Sequence, residues 1–396
     1  MKLTDRIKRL SESQTIAMAR KSRELAAQGI NVISLSLGEP DFTTPDVIKQ
    51  AAKKAIDDNF SYYTHVSGYL ELRQAIARKF KRDNNLDYTA EEIVVSTGAK
   101  QSIINVVLSL VNPGDEVLVP APYWVSYLEM IKLADGVAVI VPSTIETDFK
   151  VTSAQLEKHI TSKTRLLMIS TPCNPTGSVY SKQELKAIAE VIVKYPELYI
   201  ISDEIYEHIN FVGKHESMAQ FDFIKDRVIT VNGVSKGFAM TGWRGGFIAA
   251  PLWIAKACDK MQGQFTSATS SITQKAMYAA MEMDPAEIIP MRDAFKRRRD
   301  LVLGLLKDIN GLKVNIPEGA FYVYPDVTAY FGKSFGSYKI KNATDLCNYL
   351  LDDAHVALVP GEAFGEDTNI RISYATSEER LQDAMERIKK SLDKLD

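Results

Sequence analysis

Between residue 45 and about residue 262, two patterns of hydrophobic and polar residues alternate along the chain. Short runs of β-branched and aliphatic residues predict buried strands, and apolar residues three and four positions apart predict helices. The predicted strands are 93–96, 116–119, 137–141, 165–170, 198–202, 228–232 and 247–250. The predicted helices are 46–57, 69–83, 99–111, 123–134, 153–160, 181–194 and 251–262. Because strands alternate with helices, we expect a mainly parallel sheet with helices on both faces.

The two ends of the chain follow a different pattern. Near the N-terminus a helix is predicted from Thr15 to Gln28, followed by a short strand from Val32 to Leu37. A long helix, Ala286 to Ile309, precedes short strands near 312–315, 321–324 and 370–374 and helices near 343–353 and 377–394. A chain of 396 residues has room for more than one core. We therefore predict an α/β large domain over 45–286 and a smaller α+β domain built from 1–44 and 287–396.

Charge and composition exclude several function classes. The net charge of −2 gives no general attraction to nucleic acid or to an anionic membrane. The basic run Lys296–Arg299 lies in the predicted long helix, and we interpret it as a solvated helix face. No apolar run approaches the ~18 residues of a membrane span, and the N-terminus lacks the apolar core of a secretion signal.

Cysteine and histidine usage points in the same direction. Cys173, Cys258 and Cys347 are far apart and form no C-x-x-C pattern, which predicts reduced thiols and a cytoplasmic protein. The five histidines show no metal-ligand spacing. No metal site is predicted.

The stretch from Val228 to Gly246 carries the most specific chemistry. Its buried strand breaks at Gly233 and leaves Ser235 and Lys236 where α/β sheets bind ligands, at the carboxyl end of a strand. Arg244 follows, surrounded by glycines that allow close approach of a phosphate. An amine, a hydroxyl and a guanidinium around one phosphate suit pyridoxal phosphate (PLP) held as a Schiff base.

A rival interpretation of the same stretch is a serine hydrolase. Gly233–Gly237 matches the G-x-S-x-G nucleophile elbow. That mechanism requires a later histidine, for which His355 is the sole candidate, and a helix after the serine, which Gly242 and its neighbouring glycines disfavour. The alternative is weak, and it remains open at this point.

A second anion site is predicted where strand 93–96 leads into a helix. Gly98 and Ala99 open that helix, whose first amides and positive dipole end favour a phosphate. Lys100 in the first turn opposes the helix dipole. A ligand anion would explain this placement, and an exposed surface lysine is the alternative.

Four further residues are candidates because of their positions beside strands. Asn174 lies in a turn after strand 165–170, where its amide could meet a cofactor oxygen. Asp203 ends a buried strand, and its charge is costly unless a cation such as a protonated pyridine nitrogen meets it. Tyr206 follows closely enough to reach a ring hydroxyl. Trp124 is either a core residue or a stacking partner for a pyridine ring.

Two more candidates concern a carboxylate ligand. Gly38, in a turn-rich segment with nearby prolines, lets a ligand approach the backbone. Arg371 lies between two isoleucines in a predicted strand, and it either faces solvent or binds a carboxylate through both guanidinium nitrogens. The pattern alone does not choose between them.

Taken in order, these motifs resemble the class I aminotransferases of fold type I along nearly the whole chain. The resemblance lies in Gly38–Phe42, Tyr63 with Gly68, Ser96–Lys100, Pro122–Trp124, Asn174–Gly177, Asp203–Tyr206, Ser235–Lys236, Arg244 and Arg371. Each motif is modest alone, and the ordered set is specific. It implies PLP as cofactor and a homodimer in which Tyr63 reaches the phosphate bound by the other subunit.

The resemblance also implies a role for each residue. The catalytic residues would be Lys236, Asp203 and Tyr206. The cofactor would be held by Gly98, Ala99, Lys100, Trp124, Asn174, Asp203, Tyr206, Ser235, Lys236, Arg244 and Tyr63. The substrate would contact Gly38, Trp124, Asn174, Arg371, Lys100 and Thr15, with Arg371 on its α-carboxylate.

Substrate choice follows from a closer resemblance, to the prokaryotic subgroup Ib aspartate aminotransferases. In that subgroup a lysine and a threonine matching Lys100 and Thr15 meet the distal carboxylate. The expected reaction is ping-pong transfer of the amino group from L-aspartate to 2-oxoglutarate. Members that also use prephenate carry a basic residue where this chain has Ser11, which argues against prephenate. Glutamate/prephenate, aromatic or alanine specificity is the alternative.

A different class of function is a non-enzymatic sensor built on the same fold. Such sensors usually carry an added DNA-binding module, and the residues before Gly38 are too few for one, so we expect an enzyme.

Overall fold

The computed structural model describes residues 2–12 and 14–396. Its helices are α1 (Asp5–Arg9), α2 (Gln14–Ala27), α3 (Asp46–Asp57), α4 (Leu70–Lys79), α5 (Ala99–Leu110), α6 (Ser126–Leu133), α7 (Ser153–His159), α8 (Lys182–Ile192), α9 (Leu252–Phe265), α10 (Ser271–Glu282), α11 (Ile289–Leu306), α12 (Ala343–Asp353) and α13 (Glu378–Leu392). Its strands are β1 (Ile33–Ser34), β2 (Ile93–Thr97), β3 (Glu116–Pro120), β4 (Val137–Val141), β5 (Thr164–Ser170), β6 (Tyr199–Asp203), β7 (Val228–Gly233), β8 (Gly245–Ala249), β9 (Tyr322–Val323), β10 (Ser334–Phe335), β11 (Tyr338–Lys339), β12 (Val356–Ala357), β13 (Val359–Pro360) and β14 (Ile370–Ser373). Among these helices, none has both the length and the apolar composition needed to cross a bilayer.

The largest sheet contains seven strands in the order β2-β8-β7-β6-β5-β3-β4. The β7-β6, β6-β5, β5-β3 and β3-β4 pairs are parallel, and β8 runs antiparallel to both β2 and β7. The prediction of a mainly parallel sheet is therefore confirmed, with β8 as its one reversed strand. This reversal brings the start of β8 to the sheet edge where the other strands end.

Alternate residues of the sheet pack on opposite faces, as the geometry of a strand requires. Val95 and Leu167 join a core with α3, α4, α8 and α10, whereas Val94 and Leu166 join a core with α5, α6 and α9. All four side chains are buried. Strands buried on both faces explain the continuous hydrophobic runs in the sequence.

A separate core unites the N-terminal segment with the C-terminal part of the chain. Ile33 and Leu35 pack with residues of α11, α12, α13, β9 and β14, and β1 pairs in parallel with β12. Ile205 and Tyr206, just after β6, reach into this core from the large sheet. The division at residues 45 and 286 stays a prediction. Met1 and Ser13, which it includes, lie outside the described residues.

The structure corrects several of the predicted elements. Helix α10 is absent from the prediction, because its buried face includes Thr273 and Gln274, which interrupt the hydrophobic pattern. The strand predicted at 312–315 is wrong: there, Lys313 makes only an isolated bridge with Asp326. Trp124 precedes α6 and does not lie within it.

The interpretation of Lys296–Arg299 as a solvated face fits Lys296 and Arg297, which are exposed, but is wrong for Arg298 and for the largely covered side chain of Arg299. Arg298 is buried and donates from two guanidinium nitrogens to Asp41, at 2.7 and 2.9 Å. Its guanidinium also lies 4.8 Å from the centre of the Phe42 ring. The partner comes from a distant part of the chain, so no local pattern could have indicated the pairing. The contact ties α11 to the segment that follows Gly38.

Candidate active site

A cavity of about 340 Å³ opens at the edge where the parallel strands end. The predicted site residues that line it are Thr15, Gly38, Ala99, Lys100, Trp124, Asn174, Asp203, Tyr206, Ser235, Lys236, Arg244 and Arg371. They come from both cores of the molecule. The structure thus brings together most of the residues that the sequence singled out.

Strand register explains why distant residues meet here. Ser170 ends β5 directly opposite Asp203, which ends β6. β7 runs parallel to β6, so the turn after Gly233 delivers Lys236 to the same edge. Arg244 lies immediately before the antiparallel strand β8, which begins at this edge.

Lys236 lies between the sheet edge and the N-terminal segment. Its Nζ donates to the Gly38 carbonyl at 2.5 Å and lies 5.9 Å from the centre of the Tyr206 ring. Burial lowers the pKa of Lys236 to about 8, a change that Glu39 opposes and that Arg371 and Arg244 reinforce. An amine with such a pKa exchanges a proton readily near neutral pH.

Asp203 is a buried carboxylate with uncharged hydrogen-bond donors. Its Oδ2 accepts from the Tyr127 hydroxyl at 2.7 Å, and its Oδ1 accepts from the Ile205 amide at 3.3 Å. Burial raises the pKa of Asp203 to about 6, although both hydrogen bonds act in the opposite direction. Neither donor carries a positive charge, so the negative charge of Asp203 is not neutralised by its hydrogen-bond partners. A cationic ligand atom would be stabilised beside it.

Gly98, Ala99 and Arg244 enclose a site suited to an anion. A Cβ on Gly98 would collide with the Arg244 guanidinium, and a Cβ on Gly246 would collide with the backbone of Gly98 and Ala99. The Ala99 amide belongs to the first turn of α5, where amides lack intrahelical acceptors. Ser235 adds a hydroxyl to the cavity wall. Amide, hydroxyl and guanidinium donors together fit a phosphate group.

Arg371 is buried, which resolves the alternative of a solvent-facing residue. Its Nη1 donates to Asn174 Oδ1 at 2.9 Å and its Nη2 donates to the Ser36 carbonyl at 2.6 Å. The guanidinium carbon lies 4.5 Å from the centre of the Tyr322 ring. Burial lowers the pKa of Arg371. Within residues 2–12 and 14–396, no carboxylate forms an ion pair with it, so its charge can be met by a ligand carboxylate.

A second cation, Lys100, also lines the cavity. Lys100 Nζ is 5.0 Å from the centre of the Trp124 ring, and Thr15 of α2 is another lining residue. Partial burial and the nearby Arg244 charge lower the pKa of Lys100. The cavity is therefore lined by several basic side chains, among them Lys100, Lys236 and Arg371.

Two predicted site residues do not line the cavity. Gly98 lies behind Ala99 and shapes the backbone against Arg244. Tyr63 is 96% exposed on a loop whose neighbour Tyr62 is 78% exposed. A single chain gives Tyr63 no contact with its own cavity.

Among the residues at the site that sequence reasoning missed, three make polar contacts to residues already named. Tyr127 reaches Asp203 from α6, and the Tyr322 hydroxyl is hydrogen-bonded to that of Tyr206 at 2.8 Å. Thr241 donates to Glu39 at the cavity mouth. Each acts through a partner distant in sequence. The one available signal was the position of Tyr127 shortly after Trp124.

The geometry gives the hydrolase interpretation no support. His355 lies next to α12, with its Nδ1 3.4 Å from the Leu351 carbonyl. It is not among the cavity-lining residues. Ser235 therefore has no histidine base in the cavity of the described chain.

A buried cluster behind the site contains potential metal ligands that the sequence spacing did not reveal. One ligand atom each of Glu204, Glu207 and His215 lies within 4.8 Å of the others. Lys79 already forms an ion pair with Glu207, and Ser217 donates to Glu204 at 2.7 Å. These contacts make the cluster part of a buried charge network.

Comparison with known proteins gives a consistent result. The model of the family "Aminotransferase class I and II" matches residues 30–388. A bifunctional aspartate aminotransferase and glutamate/aspartate-prephenate aminotransferase of Petunia hybrida is 49% identical, over 98% of this chain and 82% of that protein. An aspartate/prephenate aminotransferase of Cereibacter sphaeroides is 46% identical, over 98% of this chain and 97% of that protein.

Solved structures show the same similarity. An aspartate aminotransferase from Rhizobium meliloti superposes with a TM-score of 0.97 at 41% identity, covering 100% of both chains. An aspartate aminotransferase from Thermus thermophilus with maleate superposes with a TM-score of 0.93 at 39% identity, covering 99% of this chain and 100% of that one. Both superpositions extend over the large sheet and the second core.

Proposed function

The chain belongs to the class I and II aminotransferase family, and on that premise we propose that it transfers the amino group of L-aspartate to 2-oxoglutarate with PLP as cofactor. The carrying observation is the charge arrangement of one cavity. Arg371 is buried without a carboxylate partner among the described residues, and Lys100 offers a second cation in the lining of the same cavity. A substrate with two carboxylates and an amine fits this arrangement.

The residues present fit PLP. The anion site formed by Gly98, Ala99 and Arg244 suits the phosphate, and buried Asp203 suits a protonated pyridine nitrogen. Ser235 would contribute to phosphate binding, and Trp124 would stack on the ring. Asn174 and Tyr206 would bond the ring hydroxyl. When bound, PLP supplies an electron sink for the charge left as a proton leaves the substrate α-carbon.

Lys236 provides the base for that proton transfer. Because its pKa is lowered to about 8, roughly a tenth of its amine is unprotonated at pH 7, far more than for an ordinary lysine. Its Nζ can take the proton from the α-carbon and return one in the later half of the reaction. The transfer is reversible, so one residue serves both amino donor and amino acceptor.

Arg371 orients the substrate for this transfer. Its guanidinium is held by Asn174 and by the Ser36 carbonyl, so it is fixed before substrate arrives. A fixed planar guanidinium binds a carboxylate through two parallel hydrogen bonds, which restrains the α-carbon. Gly38 allows close approach because a side chain there would meet the Tyr322 hydroxyl.

Lys100 and Thr15 would bind the distal carboxylate. Lys100 opposes the dipole of α5 in its first turn, so a ligand anion relieves an unfavourable charge. The Thermus thermophilus relative is described with maleate, which has two carboxylates. This supports a dicarboxylate at the equivalent place here.

Prephenate is the second candidate substrate, because several relatives are named aspartate/prephenate aminotransferases. The backbone amide of Ser11 donates to Glu129 at 2.9 Å, and its short side chain adds no positive charge. This observation favours aspartate. Measuring kcat/KM for prephenate beside aspartate decides how far the specificity extends.

We also propose a homodimer and a cytoplasmic location. Tyr63 is exposed and cannot serve its own cavity, so its inferred role on the phosphate requires a second subunit. Cys173, Cys258 and Cys347 are buried free thiols, which supports a reducing compartment.

The decisive experiment is an absorbance spectrum of the purified protein with PLP, before and after addition of L-aspartate. We expect a visible band that aspartate converts to one near the ultraviolet, with oxaloacetate released. L-Alanine is the matched donor without a distal carboxylate and should convert the band far more slowly. A band that responds equally to both amino acids contradicts the aspartate proposal, and no band at all contradicts the PLP proposal.

A further inference from the structure

The side chain with the clearest unexplained place beside the site is Tyr127. It lies in α6, is 1% exposed, and reaches across the end of the sheet to Asp203. Its ring packs edge-to-face against Trp124 at 5.5 Å between ring centres. Tyr127, in the first turn of α6, therefore contacts both Trp124, the residue proposed to stack on the cofactor, and the Asp203 carboxylate.

We propose that Tyr127 is a positioning residue that acts through Asp203, holding its carboxylate ionised and in one orientation toward the pyridine nitrogen of the cofactor. This inference rests on the proposed function, since it presupposes PLP in the cavity. Tyr127 itself is not among the residues that line the cavity.

Orientation follows from the geometry of the two donors. Tyr127 binds Oδ2 at 2.7 Å and the Ile205 amide binds Oδ1 at 3.3 Å, so both carboxylate oxygens have a donor on the protein side. The hydroxyl bond is the shorter. Without it, the backbone amide alone would restrain the carboxylate, and rotation about χ2 would be less restricted.

Ionisation follows from the electrostatics. Burial favours the protonated form of Asp203, and neighbouring Glu204 acts in the same direction. The Tyr127 hydroxyl and the Lys236 charge oppose them. Removing the hydroxyl would raise the pKa of Asp203 further, because a hydrogen bond to the charged form favours that form. A neutral Asp203 would no longer stabilise a protonated pyridine nitrogen.

The simpler explanation is a core tyrosine that has merely found an acceptor. Buried tyrosines usually find one. The two explanations differ in what the loss of the hydroxyl changes. A core role affects the free energy of unfolding alone, whereas a positioning role changes cofactor affinity and the protonation of the pyridine nitrogen.

The test compares Tyr127→Phe with Tyr180→Phe by two measurements. Tyr180 is also buried, and its hydroxyl accepts from the Val151 amide at 2.9 Å, so its loss has a similar structural cost without touching Asp203. The first measurement is the dissociation constant of PLP, titrated into the cofactor-free chain. The second is the ¹⁵N NMR shift of PLP labelled at the ring nitrogen.

We expect Tyr127→Phe to weaken PLP binding about tenfold, as for loss of a hydrogen bond to a charged group. We expect its ¹⁵N shift to move toward the unprotonated value. Tyr180→Phe should match the wild type in both. A Tyr127→Phe protein that matches the wild type, or a Tyr180→Phe protein with the same changes, overturns the inference.

A double-mutant cycle covers the case in which Tyr127→Phe is poorly folded. In an Asp203→Asn background, Tyr127→Phe should weaken PLP binding by less than about twofold, because the group it acts through is already neutral. An undiminished tenfold loss would refute the coupling. Failure of the proposed function is distinguishable, since the wild-type protein itself would then bind no PLP in the same titration.

Discussion

At the scale of single residues, the site combines charges that the protein itself leaves without a counterion. Arg371 has only neutral hydrogen-bond partners, and Asp203 accepts from a hydroxyl and an amide. Buried charges are costly unless matched. Such groups are typical of binding sites, where the ligand supplies the missing charge.

Lys100→Ala should separate dicarboxylate from monocarboxylate substrates. Loss of a charge-assisted hydrogen bond of ~2–3 kcal/mol lowers kcat/KM for aspartate roughly 30- to 150-fold. The value for alanine or phenylalanine should change by less than about threefold, because neither has a distal carboxylate to lose that bond. Steady-state kinetics with each donor measures both.

The control for this substitution is Lys186→Ala. Lys186 is exposed on α8, pairs with Glu190 at 3.6 Å, and is not among the residues that line the cavity. This substitution should change kcat/KM for neither aspartate nor alanine. Equal losses for aspartate and alanine in Lys100→Ala would count against a specific role for Lys100.

The raised pKa of Asp203 predicts a pH-dependent stability of the cofactor-free chain. Its folded-state pKa of about 6 exceeds the ordinary aspartate value of 3.8, so the folded chain binds more protons between these values. The free energy of unfolding therefore has a favourable contribution at low pH that is lost as pH rises through about 6. Relative to Asp203→Asn, the wild type should lose roughly 2–3 kcal/mol between pH 4 and pH 7.

Urea unfolding at several pH values, followed by circular dichroism, measures this difference. The control is Asp222→Asn, since Asp222 is exposed. The difference in the free energy of unfolding between Asp203→Asn and Asp222→Asn should change with pH. A wild-type curve parallel to that of Asp203→Asn would mean that Asp203 titrates alike in both states.

At the scale of elements, the site depends on close backbone approach between the end of β2, the start of α5 and the start of β8, where glycines leave no side chain in the contact. β2 and β8 are antiparallel neighbours, and Thr97 lies opposite Gly245. The first residues of α5 therefore pack against the start of β8. Glycines at 98 and 246 make this approach possible, since a Cβ at either would meet the opposing group.

Gly98→Ala should damage both this junction and phosphate binding. Gly98 has a φ of +82°, and an added Cβ would displace the Arg244 guanidinium. We expect a loss of ~1–3 kcal/mol in the free energy of unfolding from the strained backbone. PLP affinity should fall as well, because Arg244 moves. Thermal unfolding and a PLP titration measure the two effects.

Gly304→Ala is the matched control. Gly304 lies within α11, and a Cβ there meets nothing within 4 Å. Alanine in a helix interior is favoured over glycine, so stability should rise by about 0.5–1 kcal/mol with PLP affinity unchanged. If Gly98→Ala behaves like Gly304→Ala, the anion site formed by Gly98, Ala99 and Arg244 does not depend on the absence of a Cβ at residue 98.

At the scale of the whole molecule, the site spans two cores. Lys236, Asp203 and Asn174 follow strands of the large sheet, whereas Arg371 and Gly38 come from the second core and its N-terminal segment. Arg298 and Asp41 connect α11 to that segment. A substrate would make all of these contacts only when the two cores are correctly placed relative to each other.

The proposed homodimer predicts complementation between two defective proteins. Lys236→Ala should be inactive and Tyr63→Ala should retain cofactor poorly. In a mixed dimer, the site with intact Lys236 would receive Tyr63 from the other subunit. Co-refolding equal amounts should therefore restore activity to roughly a quarter of the wild type, as for random pairing of two subunits.

Sedimentation first establishes whether the wild type is dimeric. The control is a mixture of Tyr63→Ala with a double variant that carries both Lys236→Ala and Tyr63→Ala. This mixture should show no gain in activity. No recovery in the complementing mixture of folded dimers would show that Tyr63 does not serve the partner's site.

The sequence by itself determined the parts of this protein that depend on local pattern. Runs such as Leu166–Ile169 predicted buried strands because both faces of a parallel sheet are covered, and Lys236 and Asp203 were found because each follows such a run. The ordered motifs supplied the family, which the comparisons confirmed. Roles for individual site residues, and the division into domains, remain predictions.

Tertiary structure alone decided everything that depends on partners distant in sequence. The burial of Arg371 depends on Asn174 and Ser36, the pairing of Arg298 on Asp41, and the contact of Tyr127 on Asp203. Helix α10 escaped prediction because its polar buried residues find partners only in the folded chain. Local sequence encodes which face of an element is apolar, and only the packed structure determines which charges remain unmatched for a ligand.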